Sequence, residues 1–281
     1  MQITLSDRPI GADVRDVSLN HLSDAQFHQI RDLLHQRGVV TIKAQQLSEP
    51  QQIAFAQRFG ELQKIFLKSA LDSRYPELFV VSNIIENGRP IGSTDAGRFW
   101  HTDGAYLPQP HSVSMLYALE VPENDGKALG DTSFAGMVAA YDALPEATRR
   151  RIERLRGVHS LHYRYATKSG AADELEQLTR QFPPSSHPLA IRHPATGRRG
   201  LYVSEGYTTG VEGLTPDEGA RLLEDLCAHV VRPEFSYRHS WSPGDLLMWD
   251  NFATLHRANF DYALPQRRLM RRATVSGQAL G

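Results

Sequence analysis

The sequence predicts a β-rich α+β fold, a sandwich or jelly roll carrying helical insertions, and three observations predict it. Short β-type runs recur along the chain, among them "LFVVS", "HSVSMLYAL", "GVHSLHY", "LYVS", "FSYRHSW", "DLLMWD" and "RRATVS", with Gly, Pro and Asp turns between them. Helical patterns bunch near the two ends and in the middle of the chain, instead of alternating with strands as a doubly wound sheet requires. Within the 281 residues there is no repeat, no low-complexity tract and no linker. Residues 1–281 therefore read as one domain, a length that a single β sandwich or barrel commonly reaches.

Each element has a local reason. Ser23-Asp24-Ala25-Gln26 is a capping box, Phe27, Ile30 and Leu34 form one apolar face behind it, and Gly38 stops the helix. "VVTIK" follows as a core strand. Ser48-Glu49-Pro50-Gln51 opens a second helix that runs through Phe59 to Gly60, with its proline in the first turn, where a missing N–H costs nothing. A third helix is expected over Ser133–Leu144, and Pro145 begins a fourth, "PEATRRRIERL". Thr215-Pro216-Asp217-Glu218 caps a fifth that carries Leu222, Leu223 and Leu226 before Pro233. The stretch "SGAADELEQLTRQFPPSSHP" is the most irregular, and reads equally as a mobile lid or as a plain helix with a surface loop.

Charge and composition exclude several classes of function. Lys and Arg number 31 against 32 Asp and Glu, a net charge of −1, which favours neither nucleic acid nor an anionic membrane as partner. No apolar run approaches the length of a membrane span, and "MQITLSDRPIGADV" lacks the basic flank and apolar stretch of an export signal. The one cysteine, Cys227, sits in the helical pattern "ARLLEDLCAHVV" and reads as a buried, inert thiol. These features lead to the expectation of a soluble, cytoplasmic protein with a small-molecule partner, homo-oligomerisation being left open.

The segment "FWHTDGAYLP" raises the possibility of a metal site. If it is extended, side chains two apart share a face, so His101 and Asp103 point to one spot. With 12 histidines in the chain, one His-x-Asp triplet by chance is unremarkable. A two-histidine, one-carboxylate site needs a distant histidine as well, and His256 offers one after an apolar strand and a turn at Asp250-Asn251. Downstream lie Arg267, Arg268, Arg271 and Arg272. They form either a solvated face or, given the apolar neighbours Leu269, Met270 and Ala273, a set from which one points inward and needs an anion. Arg268 and Arg272 are an even number of residues apart, so on a strand they share a face. A zinc-dependent hydrolase or a non-catalytic cupin-like binding protein accommodates the same triad.

Further motifs cover nearly the whole chain: "QQIAFAQRFGEL", "WHTD", "GDTSFAGMVAAYDALP", "HPATGRRGLYVSEGYTT" and "GDLLMWDN…LHRANFDY…QRRLMRRAT". In these the sequence resembles the taurine/2,4-D dioxygenase family of Fe(II)- and 2-oxoglutarate-dependent oxygenases. The resemblance implies a double-stranded β-helix, a cupin-like jelly-roll core with flanking and inserted helices. It also implies a dioxygenase that uses Fe(II), 2-oxoglutarate and O2 to oxidise an unactivated C–H bond with release of succinate and CO2. By the family pattern His101, Asp103 and His256 are the catalytic iron ligands, Arg268 and Thr132 take the distal carboxylate of 2-oxoglutarate, and Arg272 holds an acidic group of the substrate. Thr132 also reads as the start of the third helix.

The substrate expected is a small organic acid, a carboxylate or sulfonate. Taurine itself fits poorly, since "LQKIFLKSALDSRYP" offers Lys64 and Lys68 where the taurine enzyme offers a histidine, Ala263 is an added residue, and "NDGKALGDT" is longer than the family's usual turn. "VSNIIENGRPIG…GRFWHTD" and "LYVSEGYTTGVEG" also resemble the isonitrile-forming branch, which oxidises an N-substituted amino acid. Tyr106, Tyr163, Tyr165 and Lys168 are candidates to line such a pocket, or are ordinary surface and core.

Overall fold

The run Val39–Ile42 is buried at every position and is an interior strand of the largest sheet. In the computed structural model, which describes residues 1–64, 74–94, 96–161 and 180–281, this sheet has seven strands. Their order is Gln2–Leu5, Ala12–Arg15, Val39–Ile42, Leu246–Asp250, Val113–Glu120, Leu269–Thr274 and Leu78–Ser82. Every neighbouring pair is antiparallel except Ala12–Arg15 with Val39–Ile42, so the sheet is mixed.

Strand alternation sorts its side chains onto two faces. Val113, Met115, Tyr117, Leu246, Met248 and Ala273 face outward and pack under helix Asp24–Arg37 and helix Glu49–Gln57. The first of these helices is fixed at both ends: the Ser23/Gln26 capping box is formed, and Gly38, at φ 68°, donates its N–H back to Leu34 O. Burying Phe27, Ile30 and Leu34 against the sheet contributes roughly 1.5–3 kcal/mol each.

Leu116, Ala118, Leu247, Trp249 and Met270 face the other way, toward a three-stranded antiparallel sheet ordered Ser236–His239, Thr132–Gly136, Thr254–Ala258. Phe134 of the small sheet is fully buried and meets Trp249 of the large one at 5.9 Å between ring centroids. On the far side of the small sheet, Ala135 and Leu255 join a second core with helix Met137–Asp142 and helix Pro216–Val230, the latter opened by the Thr215/Glu218 capping box. The molecule is thus a β-rich α+β protein, with two facing sheets between outer helices.

Several expectations are corrected here. The third helix does not start at Ser133: Thr132–Gly136 is the central strand of the small sheet, and the helix covers only Met137–Asp142. Pairing on both edges of a β-favouring Thr-Ser-Phe run outweighs the helical pattern that begins after it. The second helix ends at Gln57 instead of Phe59, and the fourth covers Glu146–Ile152. "LYVS" is strand only as far as Leu201, and "GVHSLHY" only as far as His159. The long "NDGKALGDT" connection is a ribbon of Glu123–Asn124 with Lys127–Ala128, closed by Asp125 and Gly126 at positive φ. Lys68, Tyr163, Tyr165, Lys168 and most of the irregular stretch 169–188 lie outside the described residues. Among the described residues no helix is long and apolar enough to cross a membrane. Burial pushes the Cys227 thiol up to about 12, the Glu205 charge adding, which keeps it an unreactive thiol at neutral pH.

Candidate active site

The expected extended segment around His101 is not a strand. His101 makes a single antiparallel bridge to His256, at the edge of the small sheet. The two residues exchange both main-chain hydrogen bonds, at 3.1 and 2.8 Å, so they lie directly opposite each other with side chains on one face. Their ring centroids are 4.1 Å apart. Asp103 reaches the same spot through a turn and not by alternation. Gly104 turns the chain at φ +74°, where a Cβ would lie 2.7 Å from the His111 ring, and Asn251 receives the Asp103 N–H on Oδ1 at 3.1 Å.

The result is three buried side chains whose candidate ligating atoms all lie within 4.8 Å of one another. His101 Nε2 is 3.8 Å from Asp103 Oδ1, and His256 Nε2 is 4.0 Å from Asp103 Oδ2. His101 Nδ1 lies 2.7 Å from the Phe99 carbonyl, which only accepts, so Nδ1 carries the hydrogen and Nε2 keeps its lone pair toward the cluster. Two imidazoles and a carboxylate in this arrangement suit a divalent iron that must keep open positions. Burial alone would push the Asp103 carboxyl up. The charges of Arg272, His256 and His101 and the Ser114 hydroxyl outweigh it and hold Asp103 well below the usual carboxylate range.

The four arginines divide by face. Arg267 pairs with Glu120 at the surface, and Arg271 turns to the outer face, where it meets Glu49 and donates to Leu47 O. Arg272 sits opposite Leu116, on the inner face, with its Nη1 3.3 Å from Asp103 Oδ1 and its guanidinium 4.9 Å over the Phe79 ring. Arg268 precedes the strand and is 3 % exposed. Its main chain donates to Asn83 Oδ1, its guanidinium lies beside Tyr262, and its Nε has no hydrogen-bond partner. Burial lowers the Arg268 guanidinium below its ordinary value, and no carboxylate among the described residues pairs with it. A buried guanidinium left in this state calls for an anion.

Thr132 is buried and accepts the Trp241 indole N–H at 3.1 Å, which leaves its own hydroxyl hydrogen to donate. Two residues earlier, Gly130 at φ +72° passes so close that a Cβ there would lie 3.2 Å from Arg268 Nε. These groups fit a small dicarboxylate held at one end. Tyr106 stands farther out, in an aromatic chain that runs from His101 to Tyr207 (5.8 Å), to Tyr106 (5.4 Å) and to Phe182 (5.7 Å). Lys64 is exposed.

The sequence reading missed Ser114, Asn251, His111 and Tyr207. Ser114 Oγ donates to Asp103 Oδ2 at 2.7 Å and accepts from Asn251 Nδ2 at 3.1 Å. Its signal was a lone hydroxyl in the apolar run "VSMLYAL". Burial pushes His111 down to about 4, with the Asp103 charge opposing and Arg272 adding, so beside Asp103 and Arg272 it stays neutral.

The family model for the taurine catabolism dioxygenase TauD, TfdA family matches residues 2–274. The chain belongs to the TauD/TfdA family. It is 37 % identical over 268 residues to the alpha-ketoglutarate-dependent 2,4-dichlorophenoxyacetate dioxygenase of Burkholderia sp. (strain RASC), covering 92 % of this chain and 88 % of that one. It is 33 % identical over 291 residues to pentalenolactone F synthase of Streptomyces arenae, covering 96 % and 94 %. The crystal structure of a taurine dioxygenase from Burkholderia xenovorans superposes with a TM-score of 0.83 at 31 % identity, over 99 % of this chain and 90 % of that one. As a TauD/TfdA member the protein is a 2-oxoglutarate-dependent non-haem iron dioxygenase, with Fe(II) as cofactor and 2-oxoglutarate and O2 as cosubstrates. The hydrolase and non-catalytic readings of the triad fall away.

Proposed function

We propose that this dioxygenase hydroxylates an unactivated C–H bond of a small organic acid, a carboxylate or sulfonate. One O2 and one 2-oxoglutarate are consumed for each succinate, CO2 and C–OH formed. His101, Asp103 and His256 hold the iron, which when bound supplies the O2 chemistry. Arg268 and Thr132 take the distal carboxylate of 2-oxoglutarate, which orients its 2-oxo acid end toward the metal. The facing sheets support a jelly-roll, cupin-like core as the scaffold.

Arg272 is the observation that carries the substrate reading. With Arg268 assigned to the cosubstrate, Arg272 is a second guanidinium, on the inner face at the metal carboxylate, and its Nε has no partner. An acidic group on the substrate would complete it, and would place a carbon a few bonds away against the metal, with Tyr207 and Tyr106 as an aromatic wall. The relative from Burkholderia sp. is named for 2,4-dichlorophenoxyacetate, a small carboxylate.

The test is substrate-dependent succinate release, with acids screened against their amides or esters in wild type and in Arg272→Ala. Acids alone should be turned over, and the variant should lose that preference. Equal turnover of charged and neutral forms by the wild type would remove the reading.

A further inference from the structure

Asp103 is the one triad member that neither a strand nor a β-bridge places, so something else must set the direction of its carboxylate. A closed ring of hydrogen bonds surrounds it. Asn251 Oδ1 accepts the Asp103 main-chain N–H at 3.1 Å, Asn251 Nδ2 donates to Ser114 Oγ at 3.1 Å, and Ser114 Oγ donates to Asp103 Oδ2 at 2.7 Å.

The polarity of this ring is forced. The carboxylate only accepts, so the single hydroxyl hydrogen of Ser114 goes to Asp103 and its lone pair faces the amide N–H. The amide must then turn its oxygen to the Asp103 N–H. Asn251 and Ser114 are both 0 % exposed, so neither bond competes with water.

Asn251 is itself locked. Its N–H donates to Ser112 O at 2.8 Å, and its C=O receives the Thr102 hydroxyl at 2.7 Å. One side chain therefore reads both the backbone and, through Ser114, the carboxylate of the same residue. That fixes the two side-chain torsions of Asp103 before any ion arrives. Arg272, at 3.3 Å from Oδ1, pulls the carboxylate from the other side.

We infer that Asn251 and Ser114 are positioning residues for the metal: they pre-set the Asp103 carboxylate, and metal affinity depends on them although neither is a ligand. This rests on the assignment of the triad to iron. Partners that orient a metal ligand typically contribute 10- to 100-fold in metal affinity.

The experiment is Co(II) titration of the metal-free, full-length protein, followed by its visible d–d absorption, in wild type, Ser114→Ala and Asn251→Ala, with Tm measured on the metal-free forms. Ser114→Ala should bind Co(II) about 10- to 100-fold more weakly with a shifted d–d spectrum, and Asn251→Ala at least as weakly. Ser114→Ala removes a single oxygen, so it decides the matter if Asn251→Ala does not fold. Affinity within twofold of wild type and an unchanged spectrum in Ser114→Ala would overturn the inference, including when Tm falls, since that is the outcome of a purely structural role. A wild type without saturable 1:1 Co(II) binding would overturn the metal assignment, and this inference with it.

Discussion

His101, Asp103 and His256 on one hand, and His35, His193 and Asp250 on the other, are each two histidines and an aspartate, with their ligating atoms within 4.8 Å of one another. They differ in where their protons are held. In the first set the histidine-to-carboxylate distances are 3.8 and 4.0 Å, too long for hydrogen bonds, and His101 spends its Nδ1–H on a carbonyl. In the second, His35 Nδ1 and His193 Nε2 sit 2.8 and 2.9 Å from Asp250 Oδ2. His193 Nδ1 accepts main-chain N–H groups from Ala195 and Thr196, at 3.1 and 3.2 Å, so its Nε2 must carry the hydrogen and donate it to Asp250. A metal there would have to move that proton onto a nitrogen already facing two donors. The partner of the far imidazole nitrogen, more than residue type or proximity, separates a metal site from a structural knot.

The largest expected effect tests this directly. His101→Ala, Asp103→Ala and His256→Ala should each lose 1:1 Co(II) binding and reduce succinate formation to background. His193→Ala should keep a stoichiometry of one metal per chain. Two metals bound per wild-type chain, or none lost in His256→Ala, would erase the distinction.

Next in size is stability. Asp250 Oδ2 serves both histidines while Oδ1 accepts the Phe252 N–H, so Asp250→Ala strands three buried or half-buried donors in the turn that leads to His256. Breaking a buried, hydrogen-bonded charge in this way costs about 3–5 kcal/mol, which denaturant unfolding of the metal-free protein measures. A loss under about 1 kcal/mol would mean that the cluster does not hold the turn.

These two clusters also show what the sequence could reveal. The strands and the capped helices at Ser23 and Thr215 were legible because capping chemistry and alternation act over a few neighbouring residues. His101 and His256 were legible as a pair only through motifs far apart in the chain. The reason they meet, a single β-bridge, is a long-range pairing that no local pattern encodes. Asp103 was assigned for an incorrect local reason, strand alternation, whereas a turn and Asn251 place it. The His35 cluster was invisible: its members are separated by 57 to 215 residues and share no motif. Thr132 was half legible, its burial hidden by a helical pattern that starts only at Met137.

A third prediction turns on Arg268, a buried cation with no carboxylate partner among the described residues, unlike Arg271 three residues on, which is salt-bridged to Glu49. If Arg268 grips 2-oxoglutarate, Arg268→Ala forfeits a charge-assisted hydrogen bond of about 1.5–3 kcal/mol, a rise in the apparent KM for 2-oxoglutarate of roughly 10- to 150-fold. Lysine should restore only part, since it lacks the planar fork. An unchanged KM in the alanine variant would remove Arg268 from the cosubstrate site.

The smallest effect is the most discriminating between the two clusters. His35 is half-buried and supplies one of the two imidazole bonds to Asp250 Oδ2, so His35→Phe keeps a ring against His193 but deletes one donor, at a cost of about 0.5–1.5 kcal/mol. The pH dependence gives the variant its signature. Burial alone would raise Asp250, but hydrogen bonds and charge from His193 and His35 hold it below the ordinary carboxyl value. A carboxyl depressed in the folded state contributes its stability fully above the unfolded value, near pH 4, and loses it as pH falls through the lower folded one. The difference between wild type and His35→Phe should therefore shrink as pH falls below about 4, while Co(II) stoichiometry stays at one. A difference that did not shrink below about pH 4 would show that the His35–Asp250 contact does not stabilise the ionised carboxylate, and a lost metal would show that the second cluster is part of the first.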